Sequence, residues 1–241
     1  MTRKSPLSAE DFNKIRQLDT CTVSNAIERF KVRLRNEGFV HGSSVHCQFP
    51  RFAPMLGYAA TARARSSSAP MTGHCYHDRI DWWEYVARIP EPRVLILEDV
   101  DHQPGIGAFV GEIHAEIGLA LHCVGCVTNG AVRDLPAVEK SGFHLFAGGV
   151  AVSHAYAHIV DFGEPVEIGG LRIHPGDLVH GDRHGVQTIP LEIAHEIPEV
   201  AACVLEEEGR LIELCRCKGF SLEKLSAMLR QSSQACDKQN L

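Results

Sequence analysis

Long apolar runs are absent from this chain. No stretch approaches the roughly 20 residues that cross a membrane as a helix, so no membrane partner is expected. Positive charge is also scarce: 24 Lys and Arg against 30 Asp and Glu leave a formal net charge of −6. That balance argues against a protein that grips nucleic-acid backbones. It leaves small anions open, since these need only a few local cations. The opening MTRKSPLSAEDFNKIRQL carries early basic residues with no apolar segment behind them, so no secretory signal is expected. The nine cysteines are an odd number, scattered through apolar stretches such as those of Cys123, Cys126 and Cys203. Reduced, mostly buried thiols in the cytoplasm are the expectation.

What is present suits an ordinary globular core: 44% of the 241 residues are hydrophobic and 22% charged. One domain over 1–241 is expected, with a helical N-terminal segment and a tail frayed from about residue 231. Residues 8–30 carry helical spacing behind a capping Ser8, through Phe12, Ile15, Leu18, Val23 and Ile27. Residues 35–50 lose the pattern and read as a loop. Leu56–Arg65 alternates as a strand does, and residues 66–73 read as a connection. A short helix over 81–89 stops at Pro90. Val94–Leu97 is an apolar strand, followed by a glycine-rich loop and a helix over Glu112–His122. A second strand over Val124–Thr128 closes on an Asn129-Gly130 turn, then come a helix over Leu135–Ser141 and a strand over Phe143–Phe146. This alternation predicts an α/β fold with a central parallel βαβ unit. From Val160 onward short strands alternate with turns, which predicts an antiparallel segment. Residues 191–208 and 222–230 read as closing helices.

Gly105, Gly107 and Gly111 are spaced GxGxxxG in mid-chain, which is not the dinucleotide-binding GxGxxG. They do offer backbone N–H groups and a helix N-terminus to a carboxylate or phosphate. Taken alone, Glu112 is a carboxylate favoured by a helix dipole, and Arg133-Asp134 a surface ion pair. In an open parallel sheet, however, the carboxyl ends of adjacent strands and the following helix N-termini share one edge, where ligands bind. The glycine loop, Glu112, Arg133 and Asp134 all map there. Two carboxylates suit a hard cation such as Mg²⁺ that keeps most of its waters, and an arginine can hold a substrate carboxylate through two parallel bonds.

Gly111-Glu112, twenty further residues and then Arg133-Asp134 within NGAVRD resemble the signature of the RraA-like family. That family includes class II 4-hydroxy-4-methyl-2-oxoglutarate/4-carboxy-4-hydroxy-2-oxoadipate aldolases and the regulator of ribonuclease activity A. The resemblance covers roughly residues 18–220, through LDTCTVSNAIE, LGYAATAR, VLILED and PVEIGGLRIHPGDLVHGDRHGVQTIP. It implies an αββα sandwich of the swivelling β/β/α kind, in a homotrimer or dimer of trimers (homohexamer) with sites between subunits. It implies Mg²⁺ or Mn²⁺ at Asp134, largely through water. Arg133 would contact the oxo-acid end of the substrate, and Glu112 would order water. The segment Gly107, Ala108, Phe109, Val110 and Gly111 would offer amides to the substrate. The regulator branch can lose the aspartate of the Arg-Asp pair, which this chain keeps.

Cleaving a carbon–carbon bond beta to a ketone leaves an enolate, stabilised either by a lysine Schiff base or by a Lewis-acid metal. No lysine lies in the constellation, and Lys140 (AVEKSG) reads as solvated, so the metal route is favoured. The expectation is a lyase that releases pyruvate from 4-hydroxy-2-oxo acids, with oxaloacetate decarboxylation as a side activity. A proton donor from a neighbouring subunit is open, with Glu206, Glu207 and Glu208 as candidates. The rival expectations are a non-catalytic regulator that docks on an RNA-degradation enzyme, and a related lyase or hydratase of sugar acids. The histidines of the second half (His154, His158, His180, His184) form no HExxH and read as surface or hydrogen-bonded groups, with His180-Gly181-Asp182 in a turn. Cys123-x2-Cys126 with Cys215-x-Cys217 could hold structural zinc, but the first pair is embedded in an apolar strand and reads as packing instead.

Overall fold

The structure, a computed structural model, describes residues 7–70 and 79–238, with residues 231–238 as backbone. The connection expected over 66–73 therefore lies partly outside the described residues. The helix expected over 8–30 is two helices. Ser8 accepts from the Asp11 N–H and starts α1 (Ala9–Arg16), and Asp19 accepts from the Thr22 N–H at 2.7 Å and starts α2 (Thr20–Phe30). A side-chain acceptor that satisfies a first-turn N–H favours a new helix start over continuation, so Asp19 divides the periodic segment.

One mixed sheet of nine strands forms the body, in the order β1-β6-β5-β3-β2-β10-β11, with β4 (Ala108–Val110) added on β5 and β7 on β2. Its centre is parallel: β2 (Met55–Arg65), β3 (Arg93–Asp99), β5 (Cys123–Val132) and β6 (His144–Val150). Antiparallel strands flank this centre: β1 (His46–Cys47) on β6, β10 (Leu178–Asp182) on the first part of β2, and β7 (His158–Phe162) on its last part. β11 (Gly185–Ile189) pairs with β10. The antiparallel additions come from the chain's second half, apart from β1.

Alternate side chains of the strands enter two separate cores, which is why VLIL reads as one continuous apolar run. Leu56, Tyr58, Ala60, Leu95, Leu97 and Leu145 pack beneath α1, α2, α3 (Ile80–Val86), α4 (Glu112–Ala120), α5 (Leu135–Ser141) and α6 (Ile197–Arg216). Met55, Ala59, Val94, Ile96, Val127, Phe146 and Val179 face the opposite way, under the ribbon of β8 (Val166–Ile168) and β9 (Leu171–Ile173). Helices on one face and a β-ribbon on the other give the layered α/β fold expected. Each fully buried Leu, Ile or Val contributes roughly 1.5–3 kcal/mol. Arg93, although buried, is satisfied: it donates to the Ile89, Leu121 and Ala87 carbonyls and so ties the ends of α3 and α4 to β3.

The Asn129-Gly130 turn is not a turn. β5 runs through both residues, with a register shift against β6 between Thr128 and Ala131. The next strand in the chain lies parallel, so no hairpin can form there. Asn129 instead closes the end of β3, accepting the Asp99 N–H at 2.7 Å and donating to the Asp99 carbonyl at 3.0 Å. The last long helix begins at Ile197 rather than near Leu191, with a proline in its first turn. α7 (Leu222–Lys238) continues as backbone past residue 231, where a tail was expected.

Candidate active site

The ends of β3 and β5 deliver the candidate residues. Past β3 the chain bends around two carboxylates: Asp99 accepts the N–H groups of Asp101 and Gly105, and Asp101 accepts those of Ser66 and Ser67. Gly105 takes φ +91° in this bend, a conformation that favours glycine. The glycine loop expected to stay open to Gly111 then becomes a strand. β4 (Ala108–Val110) is buried and pairs with the last residues of β5, Ala108 with Ala131 and Val110 with Val132. The Gly107 N–H goes to Ser66 Oγ at 3.0 Å and the Ala108 N–H to the Ser153 carbonyl at 2.8 Å. Phe109 and Val110 belong to the helix-side core. Of the five residues expected to meet substrate through this segment, Gly111 is the one that borders Asp134.

Arg133 leaves β5 with its N–H on the Val110 carbonyl at 2.9 Å, which locks the β4 and β5 ends together. Asp134 takes a left-handed conformation at φ 55°, tolerated by aspartate better than by most residues. It makes no side-chain cap for its own helix, α5. Instead its Oδ2 accepts the Glu112 N–H at 3.2 Å, in the first turn of α4, and its Oδ1 accepts Arg133 Nε at 3.2 Å. Burial alone would push the Asp134 pKa up. The Glu112 N–H and the Arg133 guanidinium outweigh it and hold the carboxyl below the ordinary value, with His154 adding in the same direction. Gly111 makes this approach possible: a Cβ there would lie 2.5 Å from Asp134 Oδ2.

The trio therefore meets, but Glu112 touches Asp134 through its amide. Its carboxylate is exposed and hydrogen-bonded to no described residue. Asp134 and Arg133 are each about one-third exposed, so the site is an open edge. Exposed apolar residues lie next to it: Ile113 follows Glu112, and Val150, the last residue of β6, pairs with Val132 just before Arg133. Among the proposed proton donors, Glu207 pairs with Arg29 and Glu208 accepts from Asn25, both on α2, while Glu206 is exposed.

The histidine and cysteine stretches fall elsewhere. His180 and Asp182 lie in buried strand β10, not in a turn. His180 meets Thr20 Oγ1 and the Leu18 carbonyl through its two ring nitrogens, and Asp182 accepts the Thr20 N–H at 2.9 Å. His154 Nδ1 lies 2.9 Å from the Ala108 carbonyl. Of the seven described cysteines only Cys123 and Cys126 are buried, with burial pushing the Cys123 thiol up to about 12; Cys21, Cys203, Cys215 and Cys217 are exposed, contrary to expectation. Cys215 and Cys217 sit at the end of α6, where helical surface positions explain the exposure. Sequence reasoning missed Ser66, Asp99 and Asp101. The signal was LEDVD: acids directly after a buried apolar strand, where a charge needs partners.

Comparison with known proteins bears on this geometry. Over 155 residues the chain is 25% identical to protein DlpA of Legionella pneumophila, covering 63% of this chain and 24% of that protein. Over 84 residues it is 33% identical to a Halalkalibacterium halodurans protein provisionally named 4-hydroxy-4-methyl-2-oxoglutarate aldolase, covering 34% of this chain and 40% of that protein. The chain thus matches about a quarter and two fifths of the length of these curated relatives. Among solved structures, Streptomyces coelicolor RraAS2, described as an unusual member of the RNase ES inhibitor RraA protein family, superimposes with TM-score 0.65 at 20% identity. That match covers 86% of this chain and 98% of RraAS2, and it shows a shared fold. No helix among the described residues is long and apolar enough to cross a membrane. The family model RraA-like (Aldolase/RraA) matches residues 20–187, a span that contains the whole Gly111–Asp134 edge, and the chain belongs to that family.

Proposed function

We propose that this chain is a divalent-metal-dependent class II lyase that cleaves 4-hydroxy-2-oxo acids and releases pyruvate. The observation that carries the proposal is the Asp134 carboxylate, kept ionised at an open edge with one hydrogen bond on each oxygen. An ionised carboxylate has about four acceptor positions, so both oxygens retain a lone pair. Among the described residues no group of three or more His, Cys, Asp or Glu converges to hold a metal. A sparse oxygen donor set of this kind fits Mg²⁺ or Mn²⁺, which keep several of their own waters. When bound at Asp134, the cation would supply Lewis-acid stabilisation of enolate charge.

The chain's own residues divide the remaining work. Arg133 uses Nε on Asp134, which leaves both Nη groups to fork onto the substrate carboxylate or face the carbonyl oxygen as it gains charge. In cleavage the 4-hydroxyl gives up its proton and the C3–C4 bond breaks. The bonding electrons enter the C2 carbonyl as an enolate, and the distal fragment leaves as a carbonyl compound. A proton delivered to C3 completes pyruvate, and the exposed Glu112 carboxylate is suited to orient the water that carries it. Oxaloacetate decarboxylation passes through the same enolate and is expected as a side activity.

The proposal extends to assembly and compartment. Ile106, Ile113, Val150, Val152 and Tyr156 are exposed apolar residues, which further copies in a homotrimer or dimer of trimers would cover. The cytoplasm would keep the described cysteines as the free thiols they are. The deciding experiment measures pyruvate release from 4-hydroxy-2-oxo diacids and oxaloacetate, with Mg²⁺ and with EDTA. Release that EDTA abolishes is expected. No release from any oxo acid would remove the lyase in favour of a non-catalytic regulator, and release from sugar acids alone would favour the related lyase or hydratase.

A further inference from the structure

Asp101 takes no part in the chemistry above, yet its carboxylate is enclosed and saturated. Its side chain is 1% exposed. Oδ2 accepts the Ser66 N–H at 2.7 Å, Ser66 Oγ at 3.0 Å and the Ser67 N–H at 2.8 Å, while Oδ1 accepts Ser67 Oγ at 2.5 Å, with Arg65 Nε 3.4 Å away. Burying a carboxylate costs free energy that an apolar packing would avoid, so a saturated buried charge more often specifies geometry than adds stability. What it specifies here can be followed bond by bond. Ser66 Oγ donates to Asp101 and accepts the Gly107 N–H, and the Ser66 carbonyl accepts the Tyr156 N–H at 3.1 Å. Gly107 is wedged so tightly that a Cβ would lie 2.3 Å from the His154 carbonyl and 2.8 Å from Ser66 Cβ. Directly after Gly107 comes β4, which ends at Val110, and Gly111 follows it against Asp134 Oδ2.

We infer that Ser66 and Asp101 form a clamp that positions the Gly111–Glu112 half of the site against the Arg133–Asp134 half. Both are positioning residues, acting through Gly107 and β4. The two halves meet through the β4–β5 pairing of Ala108 with Ala131 and Val110 with Val132, the Glu112 N–H on Asp134 and the Arg133 N–H on the Val110 carbonyl. The Gly107 N–H on Ser66 Oγ fixes the point at which β4 enters that pairing, and so the register it brings to Gly111. The inference rests on the lyase reading for its kinetic consequence but not for its structural one.

The test compares Ser66→Ala, Ser66→Thr and Asp101→Asn in the full chain by backbone amide exchange and by pyruvate-release kinetics. Ser66→Ala removes the acceptor for the Gly107 N–H. Exchange at Gly107 and Ala108 should speed at least ~10-fold, with the centres of β2 and β3 unchanged. Its kcat should fall at least ~10-fold while KM moves less than about threefold, because misplacement of catalytic groups acts mainly on the chemical step. Ser66→Thr keeps the hydroxyl and should restore kcat. Asp101→Asn places an amide NH₂ among donors and should exceed the alanine variant in both effects. Wild-type exchange at Gly107 in Ser66→Ala would overturn the clamp. So would faster exchange with an unchanged kcat, or a threonine variant as slow as alanine. If wild type releases no pyruvate, the lyase reading fails, and the exchange measurement still decides the clamp.

Discussion

Two carboxylates in this molecule perform the same local act in opposite surroundings. Asp134 accepts the first-turn N–H of α4, and Asp182 accepts the first-turn N–H of α2. Each stabilises a helix start that belongs to another segment of chain. Asp182 also takes the His184 N–H and ring, and its side chain is 8% exposed. Asp134 has one further partner, Arg133, and is 35% exposed. The difference lies in saturation. Where donors converge on a carboxylate in the interior, they make a joint; where lone pairs are left over at an open edge, they make a place for a ligand. Neither residue's identity distinguishes the two cases.

The comparison predicts separable losses. Replacing Asp134 by Ala should lower kcat/KM for pyruvate release at least ~100-fold, as expected when a metal-holding group is removed. Its stability should change by only about 1 kcal/mol, the usual cost of a lost cap. Replacing Asp182 by Ala should do the reverse. The Thr20 N–H and its neighbours lose a buried acceptor, so urea unfolding should show a loss of about 2–3 kcal/mol, with kcat of the folded protein near wild type. Equal effects of the two variants in both assays would erase the distinction.

A smaller effect should come from Gly111→Ala. Its Cβ would press on Asp134 Oδ2 and turn the carboxylate, so Mg²⁺ dependence should shift to about tenfold higher concentrations, read from activity against metal concentration. The smallest is a pH effect at the joint. Burial lowers the His180 pKa to about 4, and Asp182 only partly offsets this. A histidine depressed in the folded state stabilises the fold above its unfolded value of about 6.5. That contribution is lost as pH falls through the window from 6.5 toward 4. Asp182, whose own pKa is lowered by its donors against the opposing effect of burial, contributes above the ordinary carboxylate range and loses its part only at lower pH. Urea midpoints measured from pH 7.5 to 5 should fall, and His180→Gln should flatten the slope. Part of the slope should remain, since burial also lowers the His144 pKa to about 4. An unchanged slope in His180→Gln would remove His180 from the account.

Much of the site was legible because its signals are local. Strand identity came from apolar runs, the first helix start from the capping Ser8, and the edge from the rule that strand ends and helix N-termini converge in a parallel sheet. The misreadings share one cause. Asn129-Gly130 carries the composition of a hairpin turn, yet becomes a bulge because the strand that follows lies parallel. Ala108–Val110 was read as loop, yet is a strand because β5 is long enough to offer a partner beyond the end of β3. His180-Gly181-Asp182 was read as a turn, yet β10 finds β2, more than a hundred residues earlier in the chain. None of these partners lies within the window that a periodicity covers.

The sequence by itself determined the strands and helices of the parallel centre, the separation of Glu112 from Arg133-Asp134 and, through it, the resemblance to the RraA-like family. Those features depend on side-chain chemistry and on neighbours a few residues away. Only the tertiary structure decided that Glu112 meets Asp134 through its amide and that Asp134 caps α4 rather than α5. It alone placed the Asp101 carboxylate beneath Ser66, behind the edge. The physical reason is register: a hydrogen bond between residues 22 or 35 apart in the chain depends on how strands align, to within one residue, across the whole sheet.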